Sequence, residues 1–224
     1  MRILVVDTAT PAVTAAVAEV AESGVTLGPA RITVNPRAHG ELLSPAIQAA
    51  LTEARIAPAD LDAIVAGVGP GPYTGLRVGL VTATALGQAL GVPTYGVCSL
   101  DGIGAAASAP GRLLAATDAR RREIYWRVYD DGAPVTEPAV DQPAEVARQL
   151  PQLGVARAAG DGALRYAEQL GVPVADEPRF PDAATLVRAA CDRILSHAPS
   201  EPLTPLYLRR PDVATPGARK PVLR

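Results

Sequence analysis

The chain has 224 residues and is 48% hydrophobic, which is enough for one large domain or two small lobes with a sizeable core. Its formal charge of −2 argues against a protein that binds nucleic acid by net charge alone. The two cysteines, Cys98 and Cys191, lie far apart, so the sequence contains neither a disulfide framework nor a zinc motif. It shows no secretory signal and no apolar run of about 20 residues, and we therefore expect a cytoplasmic protein that does not enter a membrane.

The first half of the chain alternates strand and helix patterns. Hydrophobic periodicity and turn residues predict the order βββαβαβα, over residues 3–6, 13–20, 25–34, 39–54, 61–67, 74–90, 92–97 and 99–107. The first three strands should pair in antiparallel fashion, and the later ones should add in parallel. This order is typical of a ribonuclease-H-like lobe, the unit of the actin-like ATPase superfamily.

A glycine-rich loop within residues 67–80, GVGPGPYTGLRVGL, is the most informative stretch. Gly69 and Gly71 allow a tight turn, while Pro70 and Pro72 make it rigid. Thr74 is predicted to cap the helix that follows. A turn of this kind between a strand and a helix often holds a phosphate group.

The helix after this loop carries small residues along one face. They recur every four positions, at Gly75, Gly79, Ala83 and Gly87. Because glycine costs roughly 1 kcal/mol relative to alanine inside a helix, such a stripe needs a reason. The sequence therefore predicts the close approach of another helix, and a subunit interface there.

The second half partly repeats the first. Strands are predicted at 113–119, 123–129, 135–140 and 155–159, and helices at 141–150, 163–170 and 182–196. We expect a first lobe over residues 1–110, a smaller second lobe over 111–198 and an extended, basic, proline-rich tail over 199–224. The tail is interpreted as solvated or as docking onto a partner.

Six motifs in this order resemble a known family. They are LVVDTAT, RAHGELLSPAI, GVGPGPYTGLRVGL, VPTYGVCSLDGI, ATDARRREIYW and PLYLRR. Together they are similar to the bacterial TsaB family, also called YeaZ, from residue 3 to about 210. The resemblance implies an α/β protein with a two-lobed actin-like ATPase fold, in which a ribonuclease-H-like lobe is duplicated.

The resemblance also implies a function and partners. TsaB proteins take part in forming N6-threonylcarbamoyladenosine at position 37 of tRNAs that read ANN codons. In that system TsaB is a non-catalytic subunit that pairs with its paralogue TsaD. The ATPase TsaE binds the pair, and the complex binds tRNA. TsaB also forms homodimers through the surface used for TsaD. We therefore expect an accessory scaffold rather than an enzyme.

The predicted partner interface lies on the two helices of the first lobe. Small residues would let the helices approach and apolar ones would supply buried area, and the candidates are Leu42, Ile47, Gly75, Leu76, Val78, Gly79, Leu80 and Ala83. A Gly79→Arg variant is expected to stay folded and to lose pairing.

Chemistry within the chain itself is weakly supported. Asp7, Thr8 and Thr10 retain parts of a superfamily phosphate loop but lack its glycine, as does the second turn at Asp118. The positions that bind metal in TsaD-like proteins fall on Ser99 and Ile103, which are unsuited to that role. We expect no metal and no resident cofactor, with weak ATP or ADP binding left open at a partner interface.

Other readings remain open for several residues. An active actin-like small-molecule kinase or ATPase is the alternative function, because Asp7 and Thr8 are retained. The arginines at 120–122 form either a solvated loop or a contact with phosphate. Tyr125, Trp126 and Tyr129 have strand spacing that favours packing over base stacking. His39 is interpreted as a capping or hydrogen-bonding residue.

Overall fold

A computed structural model describes residues 1–107 and 110–209. The first five-stranded sheet contains β1 (Arg2–Asp7), β2 (Ala12–Ala21), β3 (Gly24–Val34), β4 (Ala63–Gly67) and β5 (Thr94–Val97). The helices between these strands and just after them are α1 (His39–Ala54), α2 (Tyr73–Leu90) and α3 (Asp101–Gly104), with a 3-10 turn at Pro58–Asp60. The strand order is β3-β2-β1-β4-β5.

The second sheet contains β6 (Arg112–Asp118), β7 (Ile124–Asp130), β8 (Ala133–Pro134), β9 (Ala139–Asp141) and β10 (Arg157–Ala159). Its order is β10-β6-β7-β8, with β9 also paired to β7. The remaining helices are α4 (Pro143–Gln149), α5 (Asp161–Arg165), α6 (Ala167–Leu170) and α7 (Ala183–Leu195). The α/β class and the two lobes predicted from the sequence are confirmed.

Both faces of the first sheet are covered. Strand β1 pairs antiparallel with β2 and parallel with β4, and its residues 3–6 are all apolar because alternate side chains enter two different cores. Leu4 and Val6 pack beneath α1 and α2. Ile3 and Val5 pack against α7 on the opposite face. The central strand therefore positions Asp7, at its carboxyl end, between two helical layers.

The lobe boundary predicted at residue 198 does not follow this packing. Although α7 comes after the second sheet in sequence, its buried residues Leu186, Val187 and Ile194 join the core of the first sheet. The chain thus leaves the first lobe after α3, builds the second sheet and returns. Periodicity predicts a helix there, but it carries no information about which sheet the helix covers.

The segment 199–209, predicted as part of a tail, is bonded to the first lobe. The backbone N–H of Glu201 donates to the Thr94 carbonyl, and that of Leu206 donates to the Val68 carbonyl. Leu206 packs against the core beneath α1 and α2. Residues 200–209 are called the strap below. The rest of the predicted tail, 210–224, lies outside the described residues.

Local predictions differ from the structure at three helices. Helix α2 begins at Tyr73 after Pro72, so Thr74 is inside the helix and caps nothing. The helix predicted over 99–107 is only the short α3. The one predicted over 163–170 is divided into α5 and α6 around Tyr166. The three aromatic residues of β7 are buried, as predicted, and Trp126 Nε1 donates to the Asp141 carboxylate at 2.9 Å.

Candidate functional site

A cleft between the two lobes is the first candidate site. The turn after β1 and the loop after β6 face each other across a cavity of ≈190 Å³. Its lining includes Thr8, Thr10 and Asp118, which the sequence assigned to degenerate phosphate turns, together with His39, Thr74 and Arg120. The topology thus brings together polar residues that are more than 100 positions apart in the chain.

Asp7 is buried beside this cleft, and its carboxylate is fully engaged within the first lobe. Oδ1 accepts from the Ala9 N–H at 3.0 Å, and Oδ2 accepts from the Ser99 hydroxyl at 2.5 Å. A Cβ on Gly67 would lie 1.7 Å from Oδ2, so only glycine leaves room for the carboxylate. Burial raises the pKa of Asp7 to about 6, against the effect of these hydrogen bonds, which lower it.

Thr8 is engaged with helix α2 rather than directed to a ligand. Its hydroxyl donates to the Gly75 carbonyl at 2.7 Å and accepts from the Gly79 N–H at 3.0 Å. A Cβ on Gly79 would lie 2.4 Å from that hydroxyl oxygen. The small face of α2 therefore admits the turn after β1, and at Gly87 it admits Thr94 of β5. The close approach predicted from the stripe exists: its main neighbours are the turn after β1 and Thr94, and at Gly75 the His39 side chain of α1 also approaches, 3.2 Å from where a Cβ would lie.

The third residue of the predicted phosphate loop is also internally bonded. Thr10 Oγ1 accepts from the Ala12 N–H at 3.2 Å. The Thr10 carbonyl accepts from His39 Nε2 at 2.8 Å, which confirms His39 as a hydrogen-bonding residue at the start of α1. With Asp7 and Thr8 engaged as well, the loop presents few free groups to a phosphate.

On the second-lobe side of the cleft, several buried side-chain oxygens lack hydrogen-bond partners. Asp118 Oδ1, Thr117 Oγ1 and Asp161 Oδ1 are buried without a hydrogen-bond partner. Burial, together with the nearby Asp118 carboxylate, raises the pKa of Asp161 to about 6. Gly162 packs directly on the strand, since a Cβ there would lie 2.4 Å from the Thr117 carbonyl carbon. This glycine serves close packing.

Metal and thiol chemistry find little support. Ser99 is the hydrogen-bond donor to Asp7, and Ile103 is buried in an apolar cluster, so neither forms part of a metal site. Across residues 1–107 and 110–209, no group of three or more His, Cys, Asp or Glu side chains could hold a metal ion. Burial raises the pKa of the Cys98 thiol to about 12, so it is not a thiolate nucleophile at neutral pH.

A second candidate site is the outer surface of α1 and α2. The predicted interface residues Gly75, Leu76, Gly79, Leu80 and Ala83 are buried toward the sheet. On α1, Ile47 is also buried and Leu42 is half-buried against the same core. Their contact with a partner remains a prediction, and in the single chain their area is already used for packing.

The sequence and the fold of this chain both resemble those of known proteins. Residues 29–189 match the model of the family TsaD: tRNA N6-adenosine threonylcarbamoyltransferase. A structure entitled YeaZ from Pseudomonas aeruginosa superposes with a TM-score of 0.76 at 28% identity, covering 92% of this chain and 99% of that one. The chain belongs to the TsaB (YeaZ) branch of this family.

Relatives found by sequence agree with the assignment. An uncharacterized protein of Mycobacterium tuberculosis is 49% identical over 212 residues, covering 94% of this chain and 92% of the relative. The tRNA threonylcarbamoyladenosine biosynthesis protein TsaB of Escherichia coli is 36% identical over 132 residues, covering 58% and 55%. The actin-like, ribonuclease-H-like fold expected from the motifs is thereby confirmed for this TsaB-family chain.

Sequence reasoning missed the exposed side of α2. The outward residues are Arg77, Val81, Thr84, Ala85 and Gln88, at helical spacing. Val81 is 66% exposed, the highest value among the large hydrophobic side chains of the described residues. The signal was available, because a valine opposite the small stripe must point away from the core once that stripe faces the sheet.

The strap was missed as well. Tyr207 stacks on Tyr73 with ring centroids 4.4 Å apart, and its hydroxyl accepts from Arg77 Nε at 2.8 Å. Arg209 donates to the Ala119 carbonyl at 2.9 Å and pairs with Glu123. These contacts connect α2 to the second lobe, and no local sequence pattern predicts them.

Proposed function

We propose that this TsaB-family chain is a non-catalytic scaffold subunit that pairs with a TsaD-type transferase. Together they would form N6-threonylcarbamoyladenosine at position 37 of tRNAs reading ANN codons. The observation that carries the proposal is the inward engagement of Asp7 and Thr8. The side-chain oxygens of both residues form hydrogen bonds with Ser99, Ala9 and α2. The turn that would hold phosphate in an ATPase therefore stabilises the first lobe here.

The outer surface of α1 and α2 is suited to a subunit contact. The charged residues exposed here, Glu41, Glu53 and Arg77, lie toward the helix ends, and the exposed residues between them are uncharged: Ser44, Pro45, Gln48 and Thr52 on α1 with Val81, Thr84, Ala85 and Gln88 on α2. Depletion of charge is typical of the centre of an interface. A groove of ≈440 Å³ between the helices, lined in part by Ile47, Leu51, Leu86 and Leu90, could receive apolar side chains of the partner.

The test of pairing places a charge on this surface without disturbing the core. Val81→Arg should abolish the complex with the cognate TsaD-type protein in size-exclusion chromatography with light scattering, because burying an unpaired guanidinium is costly. Ala189→Arg, at an exposed position of α7 on the opposite face of the sheet, is the matched control and should pair normally. Pairing retained by Val81→Arg would refute this surface.

The Gly79→Arg variant, predicted from the sequence to stay folded and lose pairing, is not a suitable test of the interface. Gly79 faces Thr8 within the chain, so Gly79→Arg would disturb folding and could not isolate a loss of pairing. Thermal unfolding of Val81→Arg and Ala189→Arg should match that of the unmodified chain. A reconstituted modification assay then reports whether the unpaired chain still supports the reaction.

The wider assembly is part of the same proposal. TsaE would bind the pair, tRNA would be met in the complex, and the free chain would form homodimers through the α1–α2 surface in the cytoplasm. Any weak ATP or ADP binding would occur at a partner interface. An active small-molecule kinase or ATPase is the rival, and it predicts Mg-dependent ATP hydrolysis by the chain alone that disappears in Asp7→Ala. Such hydrolysis would overturn the scaffold role.

A further inference from the structure

We propose that a basic strip along the strap contacts the phosphate backbone of RNA. The strip consists of Arg77, the arginines of the loop 119–123, Arg165 and the strap residues Tyr207 and Arg209. It deepens the proposed function by naming a surface for the tRNA, and it rests on that function for the choice of RNA. Although the whole chain has a formal charge of −2, this surface carries an excess of arginine.

The strip is continuous from the first lobe to the second. Arg77 lies over the rings of Tyr73 and Tyr207, with its guanidinium carbon 5.4 and 5.7 Å from their centroids. The Tyr73 hydroxyl donates to the Arg209 carbonyl at 3.0 Å, and Arg209 in turn contacts the loop 119–123. It therefore starts at the N-terminal end of α2, next to the proposed partner surface.

Two carboxylates, Asp118 and Glu123, pair with three arginines of the strip, Arg120, Arg165 and Arg209. Glu123 is paired with Arg209. The buried Asp118 carboxylate lies 4.0 Å from the guanidinium of Arg120 and 3.7 Å from that of Arg165. One carboxylate shared by two guanidiniums leaves a net positive charge, and those side chains are 52% and 61% exposed. Arginine in this state is well suited to phosphate oxygens.

The loop holds its arginines in a fixed arrangement. Arg120, Arg121 and Arg122 have φ values of 63°, 52° and 63°, the left-handed region that non-glycine residues rarely adopt. This backbone conformation is unfavourable for L-residues with a side chain, so it needs support from its surroundings. Arg209 supplies it through the carbonyls of Ala119 and Arg120, at 2.9 and 3.5 Å. The strap thus preorganises exposed cations at the cleft mouth.

The experiment measures binding of a tRNA transcript over a series of salt concentrations, first to the chain alone and then to its complex with the TsaD-type partner. Arg122→Gln with Arg165→Gln removes two exposed cations. We expect weaker binding and a salt-dependence slope reduced by about 1 per lost phosphate contact. Arg148→Gln with Arg188→Gln, on α4 and α7, is the matched control, and its slope should be unchanged.

The outcomes separate this inference from the proposed function. An unchanged slope in the strip variant, or equal effects of both double variants, overturns the RNA surface even if the complex forms. A reduced slope for the chain alone supports it even if no complex forms, in which case pairing is what has failed. Binding of polyglutamate as tight as that of tRNA would show a general polyanion surface and would also refute the proposal.

Discussion

The contact between Thr8 and Gly79 offers a direct test of why the glycine stripe exists. In Gly79→Ala the new Cβ would lie 2.4 Å from Thr8 Oγ1, so the turn or the helix must move. Overpacking of this kind costs about 1–3 kcal/mol, and loss of the two hydrogen bonds of the Thr8 hydroxyl adds about 1 kcal/mol each. The better helix propensity of alanine offsets about 1 kcal/mol. We expect a net loss of about 2–4 kcal/mol of unfolding free energy.

The assay is urea unfolding followed by far-UV circular dichroism, since the only tryptophan, Trp126, lies in the second lobe. Gly40→Ala is the matched control, because a Cβ there meets nothing within 4 Å in α1. It should stabilise the chain by about 0.4–1 kcal/mol. Adding Thr8→Ala to Gly79→Ala should recover part of the loss, giving a coupling energy of about 1–3 kcal/mol. If Gly79→Ala changes the free energy of unfolding by the same amount as Gly40→Ala, the glycine at position 79 is not needed to accommodate Thr8.

Two further predictions concern the buried carboxylate and the strap. The folded pKa of Asp7 is raised from 3.8 to about 6, so the folded state binds more protons between these values and stability falls as pH rises through that window. The free energy of unfolding, measured with urea, should fall by roughly 3 kcal/mol less between about pH 4 and 6 in Asp7→Asn than in the unmodified chain. The same pH dependence in both proteins would contradict this prediction. Arg209→Ala should free the loop 119–123, so that trypsin cleaves after its arginines faster than in an Arg188→Ala control. Equal cleavage rates would show that the strap does not hold the loop.

Much of the fold follows from local patterns. The apolar run of β1 and the stripe of α1 predict both elements correctly, and so does the buried strand before the glycine loop. Shorter elements were harder, because α3 and the broken pair α5 and α6 contain too few turns for a helical period to register. The cap assigned to Thr74 was wrong because the helix begins one residue earlier, directly after Pro72.

The candidate site was predicted as residue types and not as contacts. Asp7, Thr8 and Thr10 were identified, but their partners Ser99, Gly79 and His39 come from distant parts of the chain. A threonine in a turn can face a ligand or a helix, and the residue type is the same in both cases. Only the approach of α2 decides that Thr8 braces the lobe.

The sequence by itself determined the order of strands and helices, the family and the small face of α2, because periodicity, turn residues and motif spacing are local properties of the chain. Tertiary structure alone decided that this face meets the turn after β1, which leaves Val81 and its neighbours outward. It also decided that α7 covers the first sheet and that the strap reaches the arginine loop. These contacts join residues far apart in sequence, and they form because each apolar face must find a complementary surface once the sheets have assembled.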